Sequence, residues 1–521
     1  MPDFCPPLNP QVPLHSIAQE LVDVFAEAGF NTHGIAAHLG PQATEALYRG
    51  EPAAVEVATS VNTQMDLLIR LFLLHQPAPA TDLAAAVGSV LATKLVDANI
   101  ALADPNGVIR IALDIRSHII DGTNRWVFSD VDASVVEHVP GPDHVLGVGA
   151  ASLSLLRTTP TTPVHSVLDL GTGSGVQLLG QLGSAENIVA TDAHERALAL
   201  AQATIATTGA KNVDFRHGSW FEPVAGEHFD RIVANPPFVV GLPEVGHVYR
   251  DSGLNLDGAS ELVISLAAEH LNPGGTAHLL AAWVHTSDGA WQQRVASWIP
   301  KTGVSAWVLQ RDVADPALYV STWLKDESID PRSDEGRVRA RLWLEHFRDN
   351  DVTGIGFGFV ALQRIDDSLT SEVTAEEISQ AFDDALGPEI EEHFMRSAWL
   401  RNLLPDEIGD KQFGLRPGVA REDIALANAE VGFGFSRATM RLTRTEGPRW
   451  THEVDEHVAS IAAGLNPQGL NLRETIELYA VANDYDSEEL LTAALPAITD
   501  LVRHGFLYPT ELGPVLQHPK L

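Results

Sequence analysis

The feature that most constrains the fold is a glycine-rich turn that follows an apolar stretch and leads into a helix. Residues 167–175 read VLDLGTGSG, and the apolar stretch at 165–170 predicts a strand before the turn. Glycine takes backbone angles that a side chain would forbid, and it lets a ligand approach the main chain closely. The dinucleotide fingerprint needs a third glycine three residues after Gly173, but Val176 occupies that position. The spacing therefore favours a ligand without phosphate, although a tight turn that binds nothing would have the same sequence.

Apolar strands alternate with helical segments after this turn, which predicts a parallel α/β sheet. The helical segments are amphipathic and rich in alanine and leucine, and the strand segments are short and apolar. The six further predicted strands are residues 187–191, 213–216, 229–234, 276–282, 305–310 and 354–365. We therefore expect a Rossmann-like, seven-stranded α/β core over residues 141–366.

The regions on either side of this core predict two further modules. Residues 1–140 contain helical stretches followed by two short strand candidates, 108–111 and 126–128, which is the pattern of a winged helix. Residues 367–521 predict a C-terminal α+β module that begins with an acidic helix. That helix is predicted to run through Glu376, Glu377, Asp383 and Asp384 and to continue to Glu389, Glu391 and Glu392. The expected architecture is an N-terminal helical, winged-helix-like module, the α/β core and the C-terminal module.

Two Gly-Phe-Gly-Phe stretches, residues 356–359 and 432–435, resemble phosphate loops. Alternating apolar residues surround both stretches and predict strands instead. On a strand, the second stretch would place Phe433, Phe435, Arg437, Thr439 and Arg441 on one face. Such a face could stack on single-stranded nucleic acid and bind its phosphates. The alternative is a buried or salt-bridged sheet face, which the many acidic residues of the chain favour.

Asp192 lies at the end of the second predicted strand, roughly 20 residues after the glycine turn. A carboxylate at that position can accept hydrogen bonds from both ribose hydroxyls of a nucleoside ligand. Several classes of nucleoside-containing ligand share this contact. Asp192 therefore predicts a nucleoside without identifying it.

The most discriminating motif is the tetrad Asn235-Pro236-Pro237-Phe238, which follows the fourth predicted strand. Two prolines forfeit two backbone donors and hold the chain extended, so that the carbonyl groups of Asn235 and Pro236 are free. Two carbonyl acceptors and an aromatic face suit a planar NH2 group, as in a carboxamide or a base amine. The alternative is a strand-ending turn with Phe238 in the core.

These residues together resemble the class I S-adenosylmethionine-dependent amino-methyltransferases with an (Asp/Asn)-Pro-Pro-(Tyr/Phe) motif. The chain looks like the HemK-type release-factor glutamine methyltransferases and the small-domain ribosomal RNA guanine and tRNA adenine methyltransferases. The resemblance implies S-adenosyl-L-methionine as the cofactor. It also implies cofactor contacts from Asp169, Gly171, Thr172, Gly173, Gly175, Asp192, Ser219, Trp220 and Asn235, and catalysis by Asn235, Pro236, Pro237 and Phe238.

The sequence departs from this family at one cofactor position. The family often has an acidic residue where Ser219 stands, so the serine leaves the adenine more dependent on the backbone and on Trp220. Tyr249-Arg250 and Asp257-Gly258 loosely resemble the segment that follows the tetrad in the glutamine enzymes.

Charge and composition bear on partners and location. Asp and Glu total 69 against 34 Lys and Arg, a net charge of -35, which disfavours polyphosphate and favours basic or neutral partners. The 21 histidines form no metal-binding motif, so no metal is expected. With a single cysteine, Cys5, and no apolar run of roughly 18 residues, we expect a cytoplasmic enzyme without membrane association.

Three functions remain open from the sequence. The acidic charge and the segment after the tetrad favour N-methylation of a protein side-chain amide, most simply glutamine. The winged-helix pattern and Phe238 in place of tyrosine favour methylation of an exocyclic base amine in RNA or DNA. A cofactor-binding scaffold without catalysis is the third, and the intact Asn235 and paired prolines disfavour it.

Overall fold

The computed structural model describes residues 6–132, 141, 143–242, 253–326, 329–380 and 385–513. The chain divides into two compact units. The first comprises Met1–Leu156 and Thr161–Glu376, and the second comprises Arg157–Pro160 and Glu377–Leu521. No helix among the described residues is long and apolar enough to cross a membrane.

The first unit begins with a helical region that carries a small antiparallel sheet and a separate hairpin. Helix α4 starts at a capping box, in which the Thr63 side chain accepts from the Asp66 amide and Asp66 accepts from the Thr63 amide at 2.9 Å. The elements are α1 (His15–Glu27), α2 (Thr32–Tyr48), α3 (Pro52–Ala58), α4 (Gln64–Phe72), β1 (Ala78–Pro79), α5 (Ala80–Val87), α6 (Ser89–Asp97), β2 (Ala101–Ala103), β3 (Val108–Ile111), β4 (Leu113–Ile120) and β5 (Thr123–Asp130).

The pairing of these strands corrects one expectation. Residues 108–111 and 126–128 were expected to form one two-stranded flap. Instead, β3 lies between β1 and β2, and residues 126–128 belong to β5, which pairs with β4 in its own hairpin. The reason is that β4, which was not predicted, supplies eight residues of antiparallel partner for β5.

The core of the first unit is a mixed α/β sheet of eight strands in the order β13-β11-β12-β10-β9-β6-β7-β8. Strands β6 to β10 are parallel, whereas β12 runs antiparallel to β10 and β11. The elements are α7 (Ala150–Thr158), β6 (Val164–Leu170), α8 (Val176–Gln181), β7 (Ala185–Asp192), α9 (Glu195–Ala206), β8 (Val213–His217), β9 (Phe229–Ala234), α10 (Gly258–Ala267), β10 (Leu271–Thr286), α11 (Trp291–Trp298), β11 (Val304–Ala314), α12 (Pro316–Asp326), α13 (Asp334–Asp349), β12 (Val352–Arg364) and β13 (Glu372–Glu377).

All seven predicted core strands are present, and β13 adds an eighth. This strand corrects the start of the expected acidic helix, because Glu376 and Glu377 lie in β13 at the sheet edge. The later part of that expectation, Glu389 to Glu392, is helical and lies in a helix over Gly387–Arg401. The indole N–H of Trp307 on β11 donates to the Glu376 carboxylate at 2.8 Å, so the acid is used by the sheet. Asp383 and Asp384 lie outside the described residues.

The second unit is an α+β assembly with its own core. Helices α14, α16, α17 and α18 pack around Phe413, Ile498 and Phe506. Its elements are α14 (Gly387–Arg401), α15 (Pro405–Ile408), β14 (Phe413–Leu415), β15 (Val419–Ala427), β16 (Phe435–Arg444), β17 (Thr451–Val454), α16 (Glu456–Gly464), α17 (Leu472–Asn483), α18 (Ser487–Arg503) and β18 (Leu507–Pro509).

The second Gly-Phe-Gly-Phe stretch is a turn, not the strand that was expected. Gly432 and Gly434 have φ of 78° and 77°, which ends strand pairing and leaves Phe433 exposed between β15 and β16. Farther along β16 the arginines are ion-paired: Arg437 contacts Asp423 at 3.0 Å and Arg441 contacts Glu453 at 2.7 Å. These pairs match the salt-bridged alternative for this face.

Candidate active site

The carboxyl ends of three neighbouring parallel strands form the candidate site. Leu170 at the end of β6 is in register with Thr191 on β7 and with Ala234 on β9. The glycine turn, Asp192 and Asn235 follow these positions directly, so the sheet brings them to one edge. They line a single cavity of about 490 Å³.

The glycine turn is shaped as the spacing predicts. Gly171, Gly173 and Gly175 have φ of 71°, 55° and 83°, angles that disfavour any side chain. A Cβ added at Gly171 or Gly173 would meet nothing within 4 Å, since both residues face the open cavity. At Gly175 a Cβ would lie 3.4 Å from Ala201, so the third glycine serves close packing against α9. The first two therefore leave the space that a ligand would fill.

Asp192 holds the turn and the next strand end together. One carboxylate oxygen accepts the Gly173 amide at 3.0 Å and the other accepts the His194 amide at 2.9 Å. Burial raises the pKa of Asp192, and these two amide donors oppose that rise. Each carboxylate oxygen keeps lone-pair capacity for a further donor such as a ribose hydroxyl.

Asp169 lies beneath the turn, and its side chain is almost fully buried. The Thr172 hydroxyl donates to one carboxylate oxygen at 2.7 Å, and the other oxygen has no hydrogen-bond partner. Burial raises the pKa of Asp169 to about 7, and the neighbouring charge of Asp192 adds to that rise. Two polar atoms of the cavity wall, the Thr191 hydroxyl and the Gln177 carbonyl oxygen, are also buried without partners. Thr191 and Gln177 thus leave unsatisfied polar groups in the cavity wall, whereas Asp169 is not among the residues that line the cavity.

The tetrad divides between the cavity and the core. Asn235, Pro236 and Pro237 line the cavity next to the glycine turn. Phe238 is half-buried against an apolar cluster formed with α12 and α13, and it is not among the lining residues. Stacking of Phe238 on an acceptor stays a prediction.

Two aromatic residues that sequence reasoning missed hold the chain just after the tetrad. The Tyr319 hydroxyl on α12 accepts the Val240 amide at 2.7 Å, and the Trp343 indole on α13 donates to the Val240 carbonyl at 3.2 Å. Both side chains are buried. These two hydrogen bonds hold the main chain at Val240, just after the tetrad. Tyr319 and Trp343 lie about 80 and 100 residues from Val240 in the sequence, so no local pattern could predict the contacts.

The segment expected beside the adenine also reaches the cavity. Ser219 and Trp220 line it together with Gly218, whose amide donates to the Asp192 carbonyl at 3.0 Å. Trp220 has φ of 50°, a left-handed conformation that is rare for a bulky residue and that the surrounding turn imposes. Their contact with adenine stays a prediction.

The hairpin β4–β5 supplies cavity residues that the sequence did not indicate. Asp114, Arg116 and His118 on β4, with Ser129 and Asp130 on β5, line the same cavity as the glycine turn. Burial lowers the pKa of His118 to about 4, so this histidine is neutral at physiological pH. The Phe128 amide donates to the Thr204 hydroxyl on α9 at 3.1 Å and so joins the hairpin to the helix that packs beside the site.

The segment after the tetrad is described in part. Tyr249 and Arg250 lie outside the described residues. Asp257 is buried, and Arg294 donates to its two carboxylate oxygens at 2.7 and 2.6 Å. The oxygen at 2.7 Å, Oδ2, also accepts the Val284 amide at 2.9 Å, so Asp257 ties α10 and α11 to β10. Its role in the described residues is structural.

Comparison with known proteins agrees with this geometry. Residues 146–285 match the family described as the methyltransferase small domain. Residues 27–111 and 391–509 match two families that are each described as a domain of unknown function.

Curated relatives share only the central part of the chain. The release factor glutamine methyltransferase of Aliivibrio fischeri is 39% identical over 135 residues, which cover 25% of this chain and 45% of that protein. The ribosomal RNA small subunit methyltransferase C of Sodalis glossinidius is 30% identical over 158 residues, which cover 30% of this chain and 41% of that protein. The chain thus spans less than half the length of these relatives.

Among solved structures, an S-adenosylmethionine-dependent methyltransferase from Thiobacillus denitrificans in complex with S-adenosyl-L-homocysteine aligns at 17% identity with a TM-score of 0.24. The alignment covers 44% of this chain and 95% of that one, and a likeness this weak carries no argument. Residues 146–285 therefore match a methyltransferase small domain, and the curated relatives that align with this part of the chain are methyltransferases.

Proposed function

We propose that this protein transfers a methyl group from S-adenosyl-L-methionine to a planar NH2 group, and that the acceptor is a protein glutamine amide. One observation carries the proposal: the glycine turn, Asp192 and the Asn235-Pro236-Pro237 segment line a single cavity. The release factor glutamine methyltransferases among the relatives and the net charge of -35 support a protein acceptor.

In this proposal Gly171, Gly173 and Asp192 hold the nucleoside part of the cofactor. The bound cofactor supplies an electrophilic methyl group. The side-chain carbonyl of Asn235 and the main-chain carbonyl of Pro236 accept the two N–H bonds of the acceptor, which turns its lone pair towards the methyl group. Hydrogen bonds to both protons also stabilise the positive charge that develops on nitrogen while the S–CH3 bond breaks and S-adenosylhomocysteine would leave as the neutral thioether. The methylated nitrogen then releases one of its two protons to solvent, which gives the neutral N-methyl product.

The first test removes the acceptor-binding side chain. Asn235→Ala should lower the rate of methyl transfer about 10²- to 10³-fold, because it removes one hydrogen bond that strengthens in the transition state. The readout is transfer of label from S-[methyl-³H]adenosylmethionine to cell extract, with affinity for S-adenosylhomocysteine measured in parallel. Asn187→Ala is the control, since Asn187 is exposed on β7 and does not line the cavity. A wild-type rate for Asn235→Ala would show that the catalytic assignment is wrong.

A second candidate is methylation of an exocyclic base amine in RNA or DNA. The element order α4-β1-α5-α6-β2-β3, with β3 between β1 and β2, supports a winged-helix fold for this region. The relatives include a ribosomal RNA methyltransferase. The ion-paired arginines of β16 do not add to this candidate, because their charges are already balanced by acids.

Digestion of the labelled extract separates the two acceptors. Label that is lost on protease treatment and survives nuclease would support the glutamine proposal, and the reverse would support the base amine. If neither fraction carries label although the protein binds S-adenosylhomocysteine, the acceptor assignment fails while the cofactor assignment stands.

A further inference from the structure

We infer that Arg116, on the β4–β5 hairpin outside the methyltransferase small domain, binds the carboxylate of the cofactor. This inference rests on the proposed function and adds a cofactor-binding residue to it. The family match begins at residue 146, so Arg116 lies 30 residues before the matched segment. Arg116 nevertheless lines the same cavity as Gly171, Gly173 and Asp192.

One buried hydrogen-bond donor of Arg116 lacks an acceptor. The Nε of Arg116 donates to the Asp114 carboxylate at 2.8 Å, but its buried Nη2 has no partner. A buried donor without an acceptor is costly, and guanidinium groups prefer carboxylate or phosphate acceptors in paired geometry. The glycine spacing disfavours a phosphate ligand, so a carboxylate is the expected acceptor.

The wall of the cavity is acidic. Five aspartates line it: Asp114, Asp130, Asp132, Asp143 and Asp192. Among the described lining residues, Arg116 is the one guanidinium or ammonium group. S-adenosylmethionine carries a sulfonium, an ammonium and one carboxylate. The acidic wall suits the two cationic groups, and Arg116 is the lining residue that suits the carboxylate.

Hydrogen bonds fix the β4–β5 hairpin at this edge of the cavity. Asp130, at the end of β5, accepts from Arg196 on α9 at 3.0 Å and from the Val145 amide at 2.8 Å. The Arg116 position pairs with Val127 on β5, which also lines the cavity. Arg116 is therefore presented by a strand that is tied to the cofactor-binding domain and not by a free arm.

The test compares two ligands that differ only in the carboxylate. Arg116→Gln should weaken S-adenosylmethionine binding about 10- to 100-fold, the range for a charge-assisted hydrogen bond, and leave decarboxylated S-adenosylmethionine binding unchanged. Isothermal titration calorimetry on the full chain gives both dissociation constants. Arg125→Gln is the matched control, because Arg125 is the other arginine of the hairpin and does not line the cavity.

Loss of Arg116 also leaves the buried Asp114 with fewer partners, so folding needs its own control. The double variant Asp114→Asn with Arg116→Gln removes both charges and should show the same selective loss. Equal weakening of both ligands, or no weakening of either, would overturn the carboxylate assignment and show that Arg116 only balances Asp114. If wild-type protein binds neither ligand, the proposed function itself fails.

Discussion

Two buried carboxylates, one in each unit, are treated in opposite ways. Asp169 beneath the glycine turn accepts one hydrogen bond from Thr172, and its other oxygen is unsatisfied. Glu389 on α14 accepts from Arg396 at 2.6 Å and from both terminal nitrogens of Arg444 at 2.9 and 2.6 Å. The first residue lies beside a cavity and the second lies in a structural network.

Their titration differs accordingly. Burial raises the pKa of Asp169 to about 7. Burial acts on Glu389 in the same direction, but the guanidinium groups of Arg444 and Arg396 outweigh it and hold the pKa well below its usual range. The buried carboxylate of the second unit is fully paired and stabilises the fold. The buried carboxylate of the first unit, near the candidate ligand site, keeps one oxygen without a hydrogen-bond donor.

The largest expected effect tests the network. Glu389→Gln should lower the free energy of unfolding by about 3–5 kcal/mol, because the buried Arg444 would lose the carboxylate charge that it contacts and Arg396 would lose one of its two carboxylate partners. Urea denaturation with hydrogen exchange of the α14 amides measures this loss. Glu477→Gln on the exposed face of α17 should change stability by less than about 0.5 kcal/mol. Equal effects of the two substitutions would contradict the structural role of Glu389.

The next effect concerns Asp169 and has the opposite sign. A raised folded-state pKa means that the folded protein holds the proton more tightly than the unfolded chain. The resulting stability is fully present below about pH 4 and is lost as the pH rises to about 7. The shift corresponds to at most about 4 kcal/mol.

Asp169→Asn removes this titration, so between pH 5 and pH 8 the wild type should lose stability relative to the variant. At pH 8 the variant should be the more stable protein, in contrast to Glu389→Gln. Urea midpoints of both proteins at the two pH values measure the difference. If the stability of wild type and variant changed with pH in the same way, the raised pKa of Asp169 would be contradicted.

The smallest expected effect tests whether Gly171 contacts the ligand or only needs a positive φ. Gly171→Ala and Gly209→Ala should each cost about 1–2 kcal/mol of stability, since both glycines have positive φ, 71° and 73°. Neither added Cβ meets an atom within 4 Å, but only Gly171 lines the cavity. Gly171→Ala alone should therefore weaken S-adenosylhomocysteine binding, as measured by calorimetry. Equal affinity in the two variants would show that the turn does not contact the ligand.

The site residues that could be predicted from the sequence are those that come directly after a predicted strand. Gly171, Asp192 and Asn235 each come directly after a parallel strand, and the carboxyl ends of neighbouring parallel strands meet at one edge. The same logic predicted all seven core strands. Local pattern was sufficient because each residue is placed by its own strand.

The sequence could not predict residues that reach the site through tertiary packing. Arg116 and Tyr319 lie more than 50 residues from the nearest turn residue, and their contacts depend on how the hairpin and α12 pack. Local pattern also failed where it was ambiguous. Acidic residues suited a helix at Glu376, but the Trp307 indole and the sheet edge favour a strand. Alternation through residues 432–435 continued a strand pattern that two glycines with positive φ interrupt.

The N-terminal region packs on α9, and this packing limits where the chain can be divided into separate domains. Ala197, Leu200 and Ala203 of α9 belong to the same apolar core as Phe25 and Phe72. Family boundaries at 27–111 and 146–285 therefore separate residues that fold together. A chain cut between them would expose one side of α9 and part of the helical core to water. The two matched regions share one hydrophobic core, so separating them would cost stability by exposing that core.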